Sequence, residues 1–434
     1  NPATIADNVG DNVGDVAGLG SDLLESYVGA IIASITLAAY MYIHPSIPIQ
    51  DALMSKLLTF PIVLSAIGII SCVIGIAYLS FKNVSDKPHR ELNISVWTSA
   101  FLTIIGSGIL TYSYFKGMDV TSIGFNAGIM SPWYAAVLGI LCGIVMGWIA
   151  EYYTSDEYKP TQELAHSSLE GTALTITEGM ALGMKSTFLP VALLGITIIF
   201  ASMVAGLYGI TMAALGMLSF VSATVSVDTY GPIADNAGGI SEMSKLDPEV
   251  RKITDKLDSV GNTTAAIGKG FAIGSAALAA TSLLASYIYS QPVAQSAGGT
   301  AGGIELILNM INPLVLTGAI VGASLPYFFS GMLIESVTKS AREMVQEVRR
   351  QFKEMPGILT GEIRPDYKTC IEISSSSALK QMVLPALISV LTPIVFGFIF
   401  GAGFVGGLLI GTTLSAIMLA LYTANAGGAW DNSK

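Results

Sequence analysis

The chain has 434 residues, of which 52% are hydrophobic and only 12% charged, with 46 glycines, a formal net charge of −10 and a mean hydropathy of +0.63. Soluble globular chains carry roughly 25% charged residues, so a soluble enzyme is excluded. Apolar stretches long enough for the roughly 20-residue span of a bilayer recur over the whole length, which also excludes a soluble domain on a single anchor.

Cys72, Cys142 and Cys370 lie far apart with no CxxC pair, and His44, His89 and His166 form no HxxxH or HExxH pattern. Zinc and disulfide chemistry therefore have no sequence support. The chain opens on Asn1 and closes on Lys434 within an apolar helical pattern, so both ends are expected to be cut.

Apolar runs between polar or Pro/Gly breaks predict ten helices, at 5–43, 57–80, 94–115, 132–153, 168–205, 208–243, 249–290, 311–352, 368–399 and 403–433. The expected fold class is all-α, a polytopic transmembrane bundle forming one domain over 1–434. A helix over 5–43 is about 58 Å long at 1.5 Å per residue, so it protrudes beyond the hydrocarbon. Counting connections alternately, one side of the membrane holds 16 lysines and arginines, near 81–93, 154–167, 244–256 and 339–368 and at Lys434. The other side holds Lys56 and Lys116, while Lys185, Lys269 and Lys380 lie within apolar stretches. By the positive-inside rule the first side is cytoplasmic.

The opening run DNVGDNVGDVAG, residues 7–18, is followed by Asp22 and Glu25. On a regular helix Asp7, Asp11, Asp15, Asp22 and Glu25 fall within an arc of about 80°. Gly10, Gly14 and Gly18 recur every four residues, a spacing that lets a neighbouring helix approach closely. Carboxylates so placed repel one another unless cations neutralise them. Magnesium favours carboxylate oxygens together with waters and substrate phosphates, so the stripe predicts a metal–phosphate site.

A second cluster, VSVDTYGPIADNAGGISEM at 225–243, places Asp228 and Asp235 two turns apart on one face. In a third, DKLDSVGNTTAAIGKGFAIGSA at 255–276, Asp255, Asn262 and Lys269 follow at heptad spacing. Lys269 heads into an apolar run, where an ammonium is costly without an anionic partner such as a phosphate. The fourth, TANAGGAWDNSK at 423–434, ends in Asp431 and Lys434, one turn apart. The start of the first span, the end of the sixth, the start of the seventh and the end of the tenth share the cytoplasmic side, as a single site requires. Gly268-Lys269-Gly270 is not a P-loop, because Thr263 and Gly270 stand where that motif needs glycine and Ser/Thr.

Together these four motifs resemble the membrane-integral, ion-translocating pyrophosphatases, and the resemblance runs the length of the chain. It implies a homodimer of sixteen-helix subunits, of which these ten spans correspond to helices six to fifteen. It further implies that Asp11, Asp235 and Asn262 bind magnesium, that Asp15 orients or deprotonates the attacking water, and that Lys269 and Lys434 grip pyrophosphate. Asp7 and Asp431 belong to the same acidic, metal-binding shell. Asp22 and Glu25 mark the ion gate: a glutamate at the position of Glu25, rather than a turn later where this chain has Gly29, goes with sodium pumping. Ala265, with Gly268, resembles the branch that depends on bound potassium.

The resulting expectation is hydrolysis of magnesium pyrophosphate on the cytoplasmic face, coupled to outward sodium transport. A prokaryotic inner membrane is the expected location, and no nucleic-acid partner is expected. A proton-pumping pyrophosphatase is the alternative, and a secondary cation transporter a more distant one; the latter leaves Lys269 and Lys434 without anionic partners.

Overall fold

The computed structural model describes residues 1–43, 49–81, 88–290 and 309–433. Among them the secondary structure is helical and contains no strand. Nine continuous helical stretches are long and apolar enough to cross a membrane. One of them, Thr172–Met243, has 72 residues, which is about 108 Å of helix and far more than one crossing can use. It divides at Ala205 (φ −139°) and Gly206 (φ +60°, ψ −154°), between the spans predicted at 168–205 and 208–243.

The elements are α1 (Thr4–Asp11), a π-helical segment (Asn12–Gly18), α2 (Leu19–Ile43), α3 (Asp51–Ser80), α4 (Pro88–Phe115), α5 (Ser131–Thr154), α6 (Lys159–Glu170), α7 (Thr172–Ser186) and α8 (Phe188–Leu218). There follow α9 (Val221–Asp228), α10 (Tyr230–Met243), α11 (Pro248–Ser290), α12 (Pro313–Glu354), α13 (Gly357–Thr360), α14 (Tyr367–Phe400) and α15 (Ala402–Asn432). α6 is a short helix where the sequence suggested a connection. It begins at Lys159-Pro160, suited to a first turn that needs no proline N–H, and buries Thr161 and Leu164.

The chain forms two compact units. The first comprises Asn1–Gly18 and Leu308–Ala416. In it α12 and the start of α15 meet backbone to backbone: a methyl at Gly318, Gly322, Gly407 or Gly411 would overlap the main chain of the facing helix. Thr412 Oγ1 donates to the Gly322 carbonyl at 3.0 Å across this contact. Below it, the fully buried Gln351 clamps the entry to α14, accepting from Asp366 N at 2.8 Å and donating to Asp366 O at 3.0 Å. Asp366 caps α14 by accepting from Thr369 N (3.1 Å) and Thr369 Oγ1 (2.6 Å). These hydrogen bonds hold its carboxyl below the ordinary aspartate range, so their contribution is present at neutral pH and lost as pH falls through the lowered value.

The second unit comprises Leu19–Ile307 and Ile417–Lys434. At its centre α5 packs against α8 and α11 through small residues. A methyl at Gly139 would strike the Ala213 carbonyl, one at Gly216 the Ala136 carbonyl, and one at Gly143 the Phe271 ring. Lipid solvates apolar helices as well as other helices do, so close backbone approach supplies the association energy instead. The break in α8 reverses the chain, since a methyl at Gly209 would overlap the Ala201 carbonyl. Carbonyls freed by such a break need donors within a membrane. Asn126 supplies them, with its backbone N–H to Val204 O at 2.9 Å and its Nδ2 to Met203 O at 2.7 Å.

Two variants check this account by the thermal unfolding midpoint of the purified full-length protein. Asn126→Ala is expected to lose about 1 kcal/mol through the amide bond to Met203. Gly139→Ala, which forces α5 off the Ala213 main chain, is expected to lose about 2 kcal/mol or more.

Candidate functional site

The acids of the first motif divide between the units. Asp7 and Asp11 belong to the first, where both line a cavity of about 440 Å³. Polar side chains from α12 and α14 share the lining: Ser336, Ser340, Ser374 and Gln381. Sequence reasoning passed over these four. The one available signal was the i, i+4 pairing of Ser336 with Ser340. The carboxylates, hydroxyls and amide oxygen of this lining suit a hard cation such as magnesium, while Met344 and Met382 add two thioethers to it. Among the described residues no three carboxylates, histidines or cysteines come together as a metal cluster, so these residues would hold the ion only with waters or phosphate completing its shell.

Two features of the predicted stripe change. The backbone from Asn12 to Gly18 is π-helical, so the uniform rotation that put all five acids in one arc does not hold through that stretch. Gly10 and Gly14 have open space where a methyl would stand, with nothing within 4 Å among the described residues. They admit no close helix there; they punctuate a backbone wound differently from an α-helix. Asp15 lies in the π-helical segment, and its side chain is outside the described set. Asp22 and Glu25 follow on α2 in the second unit, both exposed.

The second, third and fourth motifs do come together, along residues 261–268 of α11. α9 and α10 run antiparallel to α11 at very short range. Asp228 lies against Gly268, where a methyl would overlap its carboxylate, and the Gly231 and Gly261 backbones touch. Further along, a methyl on Gly238 would stand 3.4 Å from Thr254 Oγ1. α15 joins from the other side. Asn432 Nδ2 donates to Thr263 Oγ1 at 3.1 Å and to the Thr154 carbonyl at 2.8 Å, and Gly428 fits where a methyl would stand 3.1 Å from Thr154 Cγ2 and 3.2 Å from Ala266 Cβ.

Asp228 is 2% exposed, whereas Asp235 is exposed; Thr229, between α9 and α10, keeps helical angles (φ −63°, ψ −15°) and donates to Val225 O at 3.0 Å. Lys269, half-buried, follows Gly268 on α11, which is uninterrupted through Asn262 and Lys269 as its heptad spacing required. Asp431 is exposed at the end of α15. Lys434 lies outside the described residues, as does the side chain of Asn262. Gly268 stands beside Asp228 because only a residue without Cβ fits there, and Ala265 is half-buried one turn earlier.

The fold and site thus define a multi-pass integral membrane protein whose acidic, lysine-bearing motifs are built onto closely packed helices. The whole of residues 1–434 matches the family described as inorganic H+ pyrophosphatase, and the chain belongs to that family. It is 58% identical to the K(+)-stimulated pyrophosphate-energized sodium pump of Thermotoga maritima, covering 100% of this chain and 61% of that protein. It is 45% identical to a putative pump of the same description from Clostridium tetani, covering 100% and 60%. To a K(+)-insensitive pyrophosphate-energized proton pump of Moorella thermoacetica it is 40% identical, covering 100% and 62%. The chain therefore spans about 60% of the length of the curated relatives it matches.

The Asp228–Gly268 contact makes a double-variant test. Gly268→Ala alone is expected to cost about 2 kcal/mol of stability by displacing the carboxylate. Combined with Asp228→Ala, which removes the atoms in the way, the same change should cost less than half as much, read from the four unfolding midpoints.

Proposed function

We propose that the full-length protein hydrolyses magnesium pyrophosphate to two phosphates on the cytoplasmic face and couples this to outward transport of sodium, with or without protons. The observation that carries the reading is the gathering of three sequence motifs along 261–268 of α11, in a chain whose relative at 58% identity is described as a sodium pump energised by pyrophosphate. Relatives described as proton pumps stand at 40% identity and below. In this reading residues 1–434 act as one transmembrane domain, helices six to fifteen of sixteen, within a homodimer in a prokaryotic cell membrane.

Asp7, Asp11, Asp15, Asp235, Asn262 and Asp431 provide oxygen donors for magnesium. When bound, the ion neutralises charge on the phosphates and polarises the phosphoryl oxygens. Lys269 and Lys434 hold the pyrophosphate oxygens, where their charge offsets the negative charge spread over the transferring phosphoryl group. Asp15 orients a water, takes its proton as the water oxygen bonds to phosphorus, and the bridging P–O bond breaks to release the second phosphate. Asp22 and Glu25 continue along the same helix as the gate, with Glu25 selecting sodium. Ala265 and Gly268 are the residues on which dependence on potassium as activator rests.

Membranes containing the full-length protein test this reading. Phosphate release from pyrophosphate is expected only with magnesium, rising with potassium and sodium, together with sodium uptake into inverted vesicles; no release under any ionic condition removes the reading. Lys269→Ala is expected to lower kcat/KM at least 100-fold, the scale of losing one preorganised electrostatic contact to the transition state. Glu25→Ala should weaken sodium activation, and unchanged sodium dependence counts against its gate role. Ala265→Lys should abolish the potassium requirement by placing an ammonium where potassium acts.

A further inference from the structure

Asn432 is the last residue of α15, placed between Asp431 and the chain leading to Lys434. Its amide nitrogen bridges two other helices. One acceptor is the carbonyl of Thr154, the last residue of α5 and one of the four carbonyls that a helix end leaves without an intrahelical partner. The other is Thr263 Oγ1 on α11. Thr263 is 3% exposed and donates its own proton to Ser259 O at 3.2 Å, so towards Asn432 it acts as acceptor. With a carbonyl and a committed hydroxyl as its two partners, the amide group has one orientation, NH2 towards α5 and α11. Asn432 Oδ1, also buried, accepts no hydrogen bond among the described residues. The donor end is therefore the part of this side chain that joins the helices.

The bridge spans two sequence motifs. Thr263 follows Asn262 directly, and Asn432 follows Asp431 directly. Two further contacts hold α15 from the α7 side: Trp430 Nε1 donates to Thr175 O at 3.1 Å and Asn425 Nδ2 to Ser186 Oγ at 2.9 Å. Asn432 ties the last turn of α15 to the helix carrying Asn262 and Lys269.

We propose that Asn432 and Thr263 are a positioning pair, which sets the spacing between Asp431 at the end of α15 and Lys269 on α11. The inference rests on the pyrophosphatase reading and extends it to two residues that act by joining α15 to α11. Loss of the bridge leaves every charged group in place but lets the end of α15 turn away from α11. A geometric loosening of that kind weakens the grip on magnesium and pyrophosphate before it weakens the fold.

The experiment uses full-length protein in reconstituted membranes and reads phosphate release against magnesium and pyrophosphate concentration, with the thermal inactivation midpoint measured in parallel. Thr263→Val removes the acceptor and keeps the shape; Asn432→Asp keeps the shape and removes both donors. Each is expected to raise the half-saturating magnesium pyrophosphate concentration about five- to tenfold, the scale of one hydrogen bond, with the inactivation midpoint little changed. Thr263→Ser should restore wild-type half-saturation, and the double variant should be no worse than Asn432→Asp, since both act on one bond. Wild-type half-saturation in Thr263→Val, or a fall in the midpoint with no change in half-saturation, overturns the proposal. The Thr263 pair decides the matter if Asn432→Asp fails to assemble. Absence of phosphate release by the wild type sinks the pyrophosphatase reading itself, an outcome distinct from an active wild type with unaltered variants.

Discussion

Within a bilayer one apolar helix gains little by leaving lipid for another, so what joins helices there is the closeness with which their backbones can approach. In each unit that approach is set by glycine. Gly318, Gly322, Gly407 and Gly411 let α12 and α15 touch main chain to main chain, and Gly139 and Gly216 do the same for α5 and α8. The acidic motifs exploit the same device. Gly231 against Gly261 brings α10 onto α11, and Gly268 leaves the volume that the Asp228 carboxylate fills. A carboxylate 2% exposed among membrane helices is costly to maintain, so the scaffold around it has to be exact in position before it can serve any chemistry. Close contact supplies that precision without polar groups.

Polar groups fall into two populations. Most buried hydroxyls return to a carbonyl three or four residues back in their own helix, as Ser34, Ser99, Thr103 and Thr111 do. Such bonds satisfy the hydroxyl locally and carry no message about a neighbour. The few that cross between helices are placed differently. Tyr27 reaches Ser65 O, Ser95 reaches Gly75 O and Tyr208 reaches Leu57 O, fixing the rotation of helices whose apolar faces would otherwise slide. Asn425, Trp430 and Asn432 do the same for the last helix. A motif rich in small residues has little shape of its own, and two amides and an indole compensate by specifying its register.

Hydropathy made the spans legible because length and apolarity are what the bilayer selects, and among the described residues nine helical stretches meet both conditions. Interruptions were less legible. The break at Ala205–Gly206 falls where the sequence ends one span and begins the next, but Asn126, some eighty residues away, which satisfies its carbonyls, is not named by that local pattern. Heptad spacing linked Asp228 to Asp235 but did not foretell that one would be buried and the other exposed. The same spacing held for Asn262 and Lys269, because α11 runs unbroken. Periodicity is informative only where the helix is regular, and what breaks a membrane helix is usually a tertiary partner that local sequence does not name.

The opening helix shows what such an irregularity can accomplish. A π-helical stretch offsets the hydrogen-bond ladder by one residue and is rarely found without a functional reason, because its bonds are poorer than those of an α-helix. Here it occupies Asn12–Gly18, between Asp7 and Asp11 on one side and Asp22 and Glu25 on the other. A regular helix would fix all five acids in one stripe, each repelling the next and all responding together to any bound cation. Winding the central turn differently uncouples the rotation of the first pair from that of the second. Glycines at 10, 14 and 18 suit that arrangement, since a permissive backbone is what an exchange between α and π winding requires.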